Sequence, residues 1–295
     1  MAEREIVVTG ANSPLAQALI ERFLRKFPGR LVGIVSPRGD PSALKGSKDM
    51  IRYLQADLES DLPEVVSKAL KRAHSVLHMA WVRGTDPDSV TERNLRIAER
   101  LVAAMGDPQK LYLLSTIAAG RDAPSAYGRA KFVTGQWIRS QGGNVLVCGL
   151  VISDPPLTAF KTLSDVAEQF PISLRFWAGK TTIYPIAIAD LEAALGMILE
   201  TKPTLGTAAL FLPKGVQAND FMRWIEAKHP RPRVPVWLPN KPFLAMAKVG
   251  RYSPLKGLSE KIATFLYLDE QRLGAMKPAP GTDLAHTRAA ARRIG

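Results

Sequence analysis

The stretch "VVTGANSPLAQAL" (residues 7–19) passes from a β-branched run through one glycine, Gly10, into a helix-type pattern. Ser13 followed by Pro14 predicts the start of that helix, because a serine hydroxyl caps free N–H groups and proline fits the first helical position. A strand, a tight turn and a helix N-terminus in this order are typical of a phosphate-binding loop. Ser13 and Ala16 stand where such loops usually carry glycines, so a purely structural strand–turn–helix remains the alternative.

Strand and helix patterns alternate through the first half of the chain. Strands are predicted at 5–10, 30–35, 51–57, 75–80, 110–115 and 144–151, and helices at 14–27, 62–73, 88–105 and 125–141. This alternation predicts an α/β fold, a Rossmann-type doubly wound parallel sheet that binds ligands at the carboxyl ends of its strands. We therefore expect residues 1–152 to form a dinucleotide-binding core.

The pattern changes after residue 152. A loop and helix ("SDPPLTAFKTL"), a short strand feeding a helix ("TTIYPIAIADLEAALGMILE") and a strand ("AALFLP") follow. The proline-rich stretch "KHPRPRVPVWLPNKP" (residues 228–242) predicts a connector. We expect residues 153–295 to form a smaller, irregular lobe that mainly binds the substrate, with some segments returning to the core sheet.

Composition limits the classes of protein to consider. One cysteine, Cys148, excludes an internal disulfide, and no apolar run approaches the roughly 18 residues of a membrane span. We expect a cytoplasmic protein. The net charge of +13 fits an anionic small-molecule substrate or a generally basic protein. The basic residues are scattered without interleaved aromatics, which argues against nucleic acid as the partner.

A second set of residues points to chemistry. Tyr127 and Lys131 in "YGRAK" are four apart, on one face of the helix predicted at 125–141, and the strand before it ends in Ser115. Together with "TGANSPLA" this resembles the short-chain dehydrogenase/reductase superfamily, over nearly the whole chain. A surface tyrosine–lysine pair on a helix is the alternative for "YGRAK".

Further segments resemble the extended, epimerase-like branch, the NAD-dependent epimerase/dehydratase family. "QADL" places Asp57 and Leu58 where that family contacts the adenine, although Asp57 could simply cap a turn. "VLHMA" puts Ala80 beside the cofactor, and Asn94 falls at the family's helix asparagine. In "VLVCGLVISDPP", Cys-Gly replaces the family's Arg-Pro. "TIYPIAIADLEAAL", with Asp190 as the family's aspartate, and "YLDEQRLGAMKPAPGTDLAHTRAAAR" match two later segments.

The resemblance implies hydride transfer between a nicotinamide and a carbinol or carbonyl carbon. Tyr127 would exchange a proton with the substrate oxygen. Lys131 and an oxidised nicotinamide would lower the pKa of the phenol from its usual value near 10. Ser115 would hydrogen-bond the same oxygen; Thr116 could take this role, and strand-end turn chemistry is the alternative for Ser115.

The cofactor is suggested by the end of the second strand, "GIVSPRGD". Ser36 and Arg38 stand where NAD-preferring members have an acidic residue, and no carboxylate occurs before Asp40. A guanidinium suits a 2′-phosphate, so NADP(H) is the expected cofactor and NAD(H) the alternative. The cofactor contacts expected from the resemblance are Gly10, Asn12, Ser13, Leu15, Ser36, Arg38, Asp57, Leu58, Ala80 and Lys131.

The substrate remains open at this stage. The extended branch often handles nucleotide-sugars, for which Arg175 and Lys180 could clamp a diphosphate, unless they are exposed loop charges. The apolar stretch "SLRFWAGKTTIYPI" could instead line a pocket for an apolar ketone. A non-catalytic structural or RNA-binding protein of the same fold is the third hypothesis. Helices 88–105 and 125–141 commonly form a homodimer face in the family.

Overall fold

The computed structural model describes residues 4–37, 51–84, 86–176, 181–238, 273–280 and 282–294. Its helices and strands alternate through the first half as the sequence predicts. In chain order the elements are β1 (Ile6–Thr9), α1 (Pro14–Lys26), β2 (Leu31–Val35), β3 (Ile51–Gln55), α2 (Glu64–Arg72), β4 (Ser75–His78), α3 (Pro87–Met105), β5 (Leu111–Thr116), α4 (Ala126–Ser140), β6 (Asn144–Cys148), β7 (Leu150–Ile152), α5 (Thr158–Gln169), β8 (Ile172–Phe176), β9 (Thr182–Ile183), β10 (Pro185–Ala187), α6 (Ile188–Thr201), β11 (Thr207–Leu210), β12 (Val216–Gln217), α7 (Ala218–Glu226), β13 (Val234–Leu238) and α8 (Ala285–Ile294).

A seven-stranded sheet forms the centre of the molecule, in the order β11-β6-β5-β4-β1-β2-β3. All six pairings within it are parallel. Because β1 has β2 on one side and β4 on the other, the strand order reverses there, and a crevice opens at the carboxyl ends of these strands. The predicted Rossmann-type doubly wound parallel sheet is confirmed.

Helices cover both faces of this sheet, because each has one apolar face to bury. On one face, α1 and α6 contribute Leu19, Phe23 and Leu195 to a buried cluster. On the other, α2, α3 and α4 pack residues such as Leu101 and Ile138 against the strands. The catalytic residues predicted on α4 therefore belong to the second face.

The strand predicted at 144–151 is interrupted at Gly149. A Cβ at this position would collide with the carbonyl oxygen of Tyr184, so only glycine allows the chain to pass so close. β6 therefore ends at Cys148 in the central sheet, and β7 leaves it to pair with β10.

Residues after 152 form a third buried cluster around α5, β8 and α7, and they also send β11 back into the central sheet. Asp190 of α6 ties this part to the closing helix: its carboxylate accepts from the N–H and hydroxyl of Thr287, both at 2.6 Å. That carboxylate thus stabilises the N-terminal turn of α8. The division at residue 152 stays a prediction.

The predicted proline-rich connector is wrong for residues 234–238. This segment is β13, which pairs in parallel with β8 over its whole length. Pro235 has no N–H to donate, but among the described strands β13 is bonded only to β8, and such an edge strand tolerates proline. Among the described residues, no helix is long and apolar enough to cross a membrane.

Candidate active site

A cleft of about 430 Å³ lies at the carboxyl ends of the strands, beside the N-terminus of α1. It occupies the crevice that the reversal of strand order at β1 creates. Seven of the predicted cofactor residues line it: Gly10, Asn12, Ser13, Ser36, Asp57, Leu58 and Ala80. Arg38, and Asp40 beside it, lie outside the described residues.

Gly10 makes the sharp turn between β1 and α1 with a φ of 67°. A Cβ at this position would lie 2.6 Å from both the Cα and the N of Ala80. The turn thus packs directly on the backbone that follows β4. Glycine is required here for two reasons, the left-handed backbone and this close approach.

The N-terminus of α1 keeps two hydrogen-bond donors for a ligand. Ser13 caps the helix, with its Oγ accepting from Ala16 N–H at 3.3 Å and its carbonyl accepting from Gln17 N–H at 2.9 Å. In the described part of the chain, the N–H groups of Asn12 and Leu15 have no acceptor. Free N–H groups at a helix N-terminus fit a pyrophosphate. The Leu15 side chain packs against the core instead of lining the cleft.

Asp57 caps a turn and also lies on the cleft, and its contact with an adenine stays a prediction. Its carboxylate accepts from Glu59 N–H at 3.0 Å and so caps a turn, and the residue is exposed on the cleft. Leu58 beside it is buried and forms apolar wall. The pair has the chemistry to contact a polar and an apolar part of one ligand.

Thr9 and His78 fix the floor of the cleft. Thr9 Oγ1 accepts from the N–H groups of Met79 and Ala80, each at 3.2 Å, and donates to His78 Nδ1 at 2.7 Å. Burial, together with the charge of Lys131, lowers the pKa of His78 to about 3. His78 is therefore neutral at physiological pH, and its role is to hold the strand ends together.

Sequence reasoning missed two residues of the cleft, Trp81 and Arg83. Asn94 of α3 fixes the segment that carries them, because its side chain accepts from Val82 N–H at 3.0 Å and donates to Val82 O at 3.1 Å. An aromatic and a cation directly after the fourth strand are the signal that could have revealed both. Asn94 itself acts here as a structural support.

Lys131 is buried in the second half of the site. Its Nζ donates to the carbonyl of Leu114 at 2.7 Å and lies 3.9 Å from the ring centroid of Trp81 and 5.9 Å from that of Tyr127. Burial lowers its pKa to about 7, and the nearby Cys148 acts against this. Its ammonium is therefore only partly populated at neutral pH.

The expectation that Lys131 and an oxidised nicotinamide together lower the pKa of Tyr127 concerns the nucleotide-bound protein and stays a prediction. The protein without nucleotide has a different balance. Burial raises the pKa of Tyr127 to about 12, although 38% of the residue stays exposed; Arg83 lowers it and Cys148 raises it further. Desolvation of the phenolate outweighs any help from a lysine that is itself losing its proton. Tyr127 is consequently a neutral phenol that can donate a proton.

Ser115 and Lys131 do not line the cleft described above but a second groove, of about 490 Å³, between α4 and the β6–β11 side of the sheet. The hydroxyl of Thr116 accepts from Ala118 N–H at 3.3 Å and stabilises a turn. The assignment of Ser115 as the residue that would hold the substrate oxygen stays a prediction. Burial raises the pKa of the Cys148 thiol to about 12, which keeps it protonated.

Arg175 is not an exposed loop charge, as one hypothesis had it. It lies on β8, where its guanidinium binds the Glu226 carboxylate through two contacts of 3.0 and 2.8 Å. Ser173 Oγ donates to the same carboxylate at 3.0 Å. The guanidinium is thus engaged within the protein. Lys180, its proposed partner, lies outside the described residues.

The sequence and the structure were compared with those of known proteins. No family model and no curated protein matches the sequence. The structure is similar to gox2253 (16% identity, 98% of this chain and 99% of that one, TM-score 0.65). It is also similar to dTDP-glucose 4,6-dehydratase from Bacillus anthracis, solved with NAD (11% identity, 80% and 84%, TM-score 0.63), and to UDP-glucose 4-epimerase from Thermotoga maritima, solved with UDP-glucose (16%, 80% and 85%, 0.58). The chain has the fold of extended short-chain dehydrogenases/reductases.

Proposed function

We propose that this protein is an oxidoreductase or epimerase that transfers hydride between a nicotinamide dinucleotide and a secondary alcohol or ketone. One observation carries the proposal: seven residues chosen from sequence for cofactor contact meet in a single cleft. The free N–H groups of Asn12 and Leu15 at the start of α1 supply the donor chemistry that a pyrophosphate requires.

Tyr127 has the chemistry of a general acid for reduction of a carbonyl group. With a pKa of about 12 the phenol is protonated at rest, so it can act as the general acid. The dinucleotide supplies hydride to the carbonyl carbon when bound. Tyr127 then donates its proton to the carbonyl oxygen, which becomes the hydroxyl of the product. Ser115 would hold that oxygen by a hydrogen bond.

We further propose NADP(H) as the preferred cofactor. Ser36 lines the cleft at the end of β2, and Arg38 follows two residues later in the sequence. A serine and a guanidinium suit a 2′-phosphate, whereas the ribose hydroxyls of NAD are usually bound by a carboxylate at this point. NAD(H) is the alternative.

Two substrate classes follow from different observations. Two of the structural neighbours named above, dTDP-glucose 4,6-dehydratase and UDP-glucose 4-epimerase, are named for nucleotide-sugars, which supports a nucleotide-sugar substrate. The engagement of Arg175 with Glu226 favours an apolar ketone instead, because it removes a candidate diphosphate clamp. A substrate screen should therefore contain both classes.

Calorimetric titration with NADPH and NADH tests the proposal. We expect wild type to bind NADPH more tightly, and Arg38→Ala to lose tenfold or more in NADPH affinity while NADH affinity is unchanged. Tyr127→Phe should bind the dinucleotide like wild type but turn over carbonyl substrates about 10²- to 10⁴-fold more slowly.

Failure of the wild-type protein to bind either dinucleotide would contradict the proposal. The non-catalytic hypothesis would then lead, and RNA binding that weakens steeply with salt would support it. Equal turnover by wild type and Tyr127→Phe would leave a dinucleotide site but remove the tyrosine mechanism.

A further inference from the structure

Trp81 is the residue where the two halves of the candidate site meet. It lines the cleft that collects the nucleotide-binding residues. Its ring also makes an edge contact with Tyr127, at 5.9 Å between centroids and 81° between planes, and covers the Nζ of Lys131 at 3.9 Å. Trp81 thus touches both halves at once.

The three side chains proposed for catalysis lie beside that cleft without lining it. Tyr127, Lys131 and Ser115 are absent from its walls, whereas Trp81 is part of them. Lys131 Nζ is held between the carbonyl of Leu114 and the indole. The indole therefore lies between the cleft and the Nζ of Lys131.

The indole is held less firmly than the backbone that carries it. The Asn94 amide grips both the N–H and the carbonyl of Val82, the next residue. By contrast, the indole Nε1 is buried and has no hydrogen-bond partner among the described residues. An unpaired buried N–H is unfavourable, so rotation of the side chain would relieve a cost while the backbone stays fixed.

We propose, on the basis of the function proposed above, that the Trp81 indole closes the cleft at its Tyr127–Lys131 end and swings aside when the nicotinamide half of a dinucleotide binds. The adenosine half binds without this movement. Dinucleotide binding therefore breaks the Trp81–Lys131 contact. The loss of this contact exposes Lys131 to the bound nicotinamide.

Calorimetry on Trp81→Ala separates the two halves of the ligand. The probes are NADP⁺ and adenosine 2′,5′-bisphosphate, or NAD⁺ and ADP if wild type prefers that pair. We expect Trp81→Ala to bind the dinucleotide about 2- to 30-fold more tightly than wild type, the range to which a cation–π contact corresponds. Binding of the adenosine fragment should not change. Trp81→Phe, which keeps a ring over Lys131, is the matched control and should resemble wild type.

A second measurement does not depend on the alanine variant being folded. The difference in tryptophan emission between wild type and Trp81→Phe isolates the Trp81 signal. Its quenching by acrylamide should increase when NADP⁺ is added, because the indole leaves its partly buried position, and should not change with the bisphosphate. Weaker quenching with NADP⁺ would mean that Trp81 is a stacking platform, which overturns the proposal.

The outcomes also distinguish this proposal from the proposed function. If wild type binds the dinucleotide and Trp81→Ala binds it no more tightly, the proposed cofactor site is supported and the proposed movement of the Trp81 indole is wrong. If neither wild type nor Trp81→Ala binds the dinucleotide or its adenosine fragment, the proposed function is wrong, and so is the proposed movement of the indole.

Discussion

The cleft at the N-terminus of α1 and the Tyr127–Lys131 centre are built in different ways. The cleft uses backbone and small residues: the turn at Gly10 packs on Ala80, and the start of α1 keeps free N–H groups. The Tyr127–Lys131 centre uses large side chains packed around Trp81: the buried Lys131 lies under its ring, and Tyr127 meets the ring edge-on. Local backbone geometry creates the first, whereas the second exists only after tertiary packing.

The two regions consequently differ in their electrostatics. Two charged residues of the cleft, Asp57 and Arg83, are exposed to water. In the other centre, burial moves the pKa of Tyr127 up to about 12 and that of Lys131 down to about 7. Both shifts favour the neutral form, as desolvation predicts. The cleft thus keeps charges of both signs in water, whereas the Tyr127–Lys131 centre keeps its titratable groups near neutrality.

The largest effect on the cleft should come from Gly10→Ala. The substitution combines a left-handed backbone, at φ 67°, with a Cβ only 2.6 Å from the Ala80 backbone. We expect a loss of roughly 2–5 kcal/mol in the free energy of unfolding, from strain and overpacking together. Dinucleotide affinity should fall at least tenfold. Urea denaturation and calorimetry measure the two effects.

Gly106→Ala is the matched control. Gly106 ends α3 with a φ of 68°, and a Cβ there would meet nothing within 4 Å. It should therefore lose only the cost of the left-handed backbone, about 1–2 kcal/mol, and bind the dinucleotide normally. Equal losses in the two variants would contradict the close packing of the loop on β4.

A smaller effect, confined to the other centre, should appear in the pH dependence of stability. The pKa of Lys131 falls from 10.5 in the unfolded chain to about 7 in the folded one. Between these values the unfolded state binds more protons, so the free energy of unfolding rises with pH, by up to about 1.4 kcal/mol per unit for this group. Above pH 9 the raised pKa of Cys148 acts in the opposite direction.

Urea denaturation of wild type and Lys131→Met from pH 7 to 9 isolates this contribution. The free energy of unfolding should rise less steeply with pH in the variant. The difference in slope should be up to about 1.4 kcal/mol per pH unit, which corresponds to one proton. Parallel profiles would mean that Lys131 keeps an ordinary pKa in the folded protein, and Tyr127 would then have a charged neighbour at neutral pH.

The same contrast explains what the sequence could predict. The cleft follows from local patterns, since a strand, a glycine turn and a capped helix are each encoded within a few neighbouring residues, and α1 begins at Pro14 as expected. The pKa of Tyr127, the position of Trp81 and the Arg175–Glu226 pair depend on residues far apart in the chain. β13 was missed because its partner β8, not its own proline-rich sequence, makes it a strand.

The smallest effects should come from two serine caps, one in each region. Ser13 Oγ accepts from Ala16 N–H at the start of α1, and Ser125 Oγ accepts from Gly128 N–H, at 3.1 Å, at the start of α4. Replacing either by alanine should cost about 1 kcal/mol of stability. Their functional effects should differ, because α1 begins at the cleft whereas Tyr127 lies in the first turn of α4.

Ser13→Ala should therefore weaken dinucleotide binding severalfold and leave the turnover of bound substrate unchanged, since it loosens the helix end that holds the pyrophosphate. Ser125→Ala should leave dinucleotide affinity intact and lower kcat, since it loosens the turn that positions Tyr127. Calorimetry measures the dinucleotide affinity of the two variants, which are matched in stability, and steady-state kinetics measures their kcat. If both variants change affinity and turnover alike, binding and proton transfer are not separable, because the two regions would then respond to local loosening as one unit.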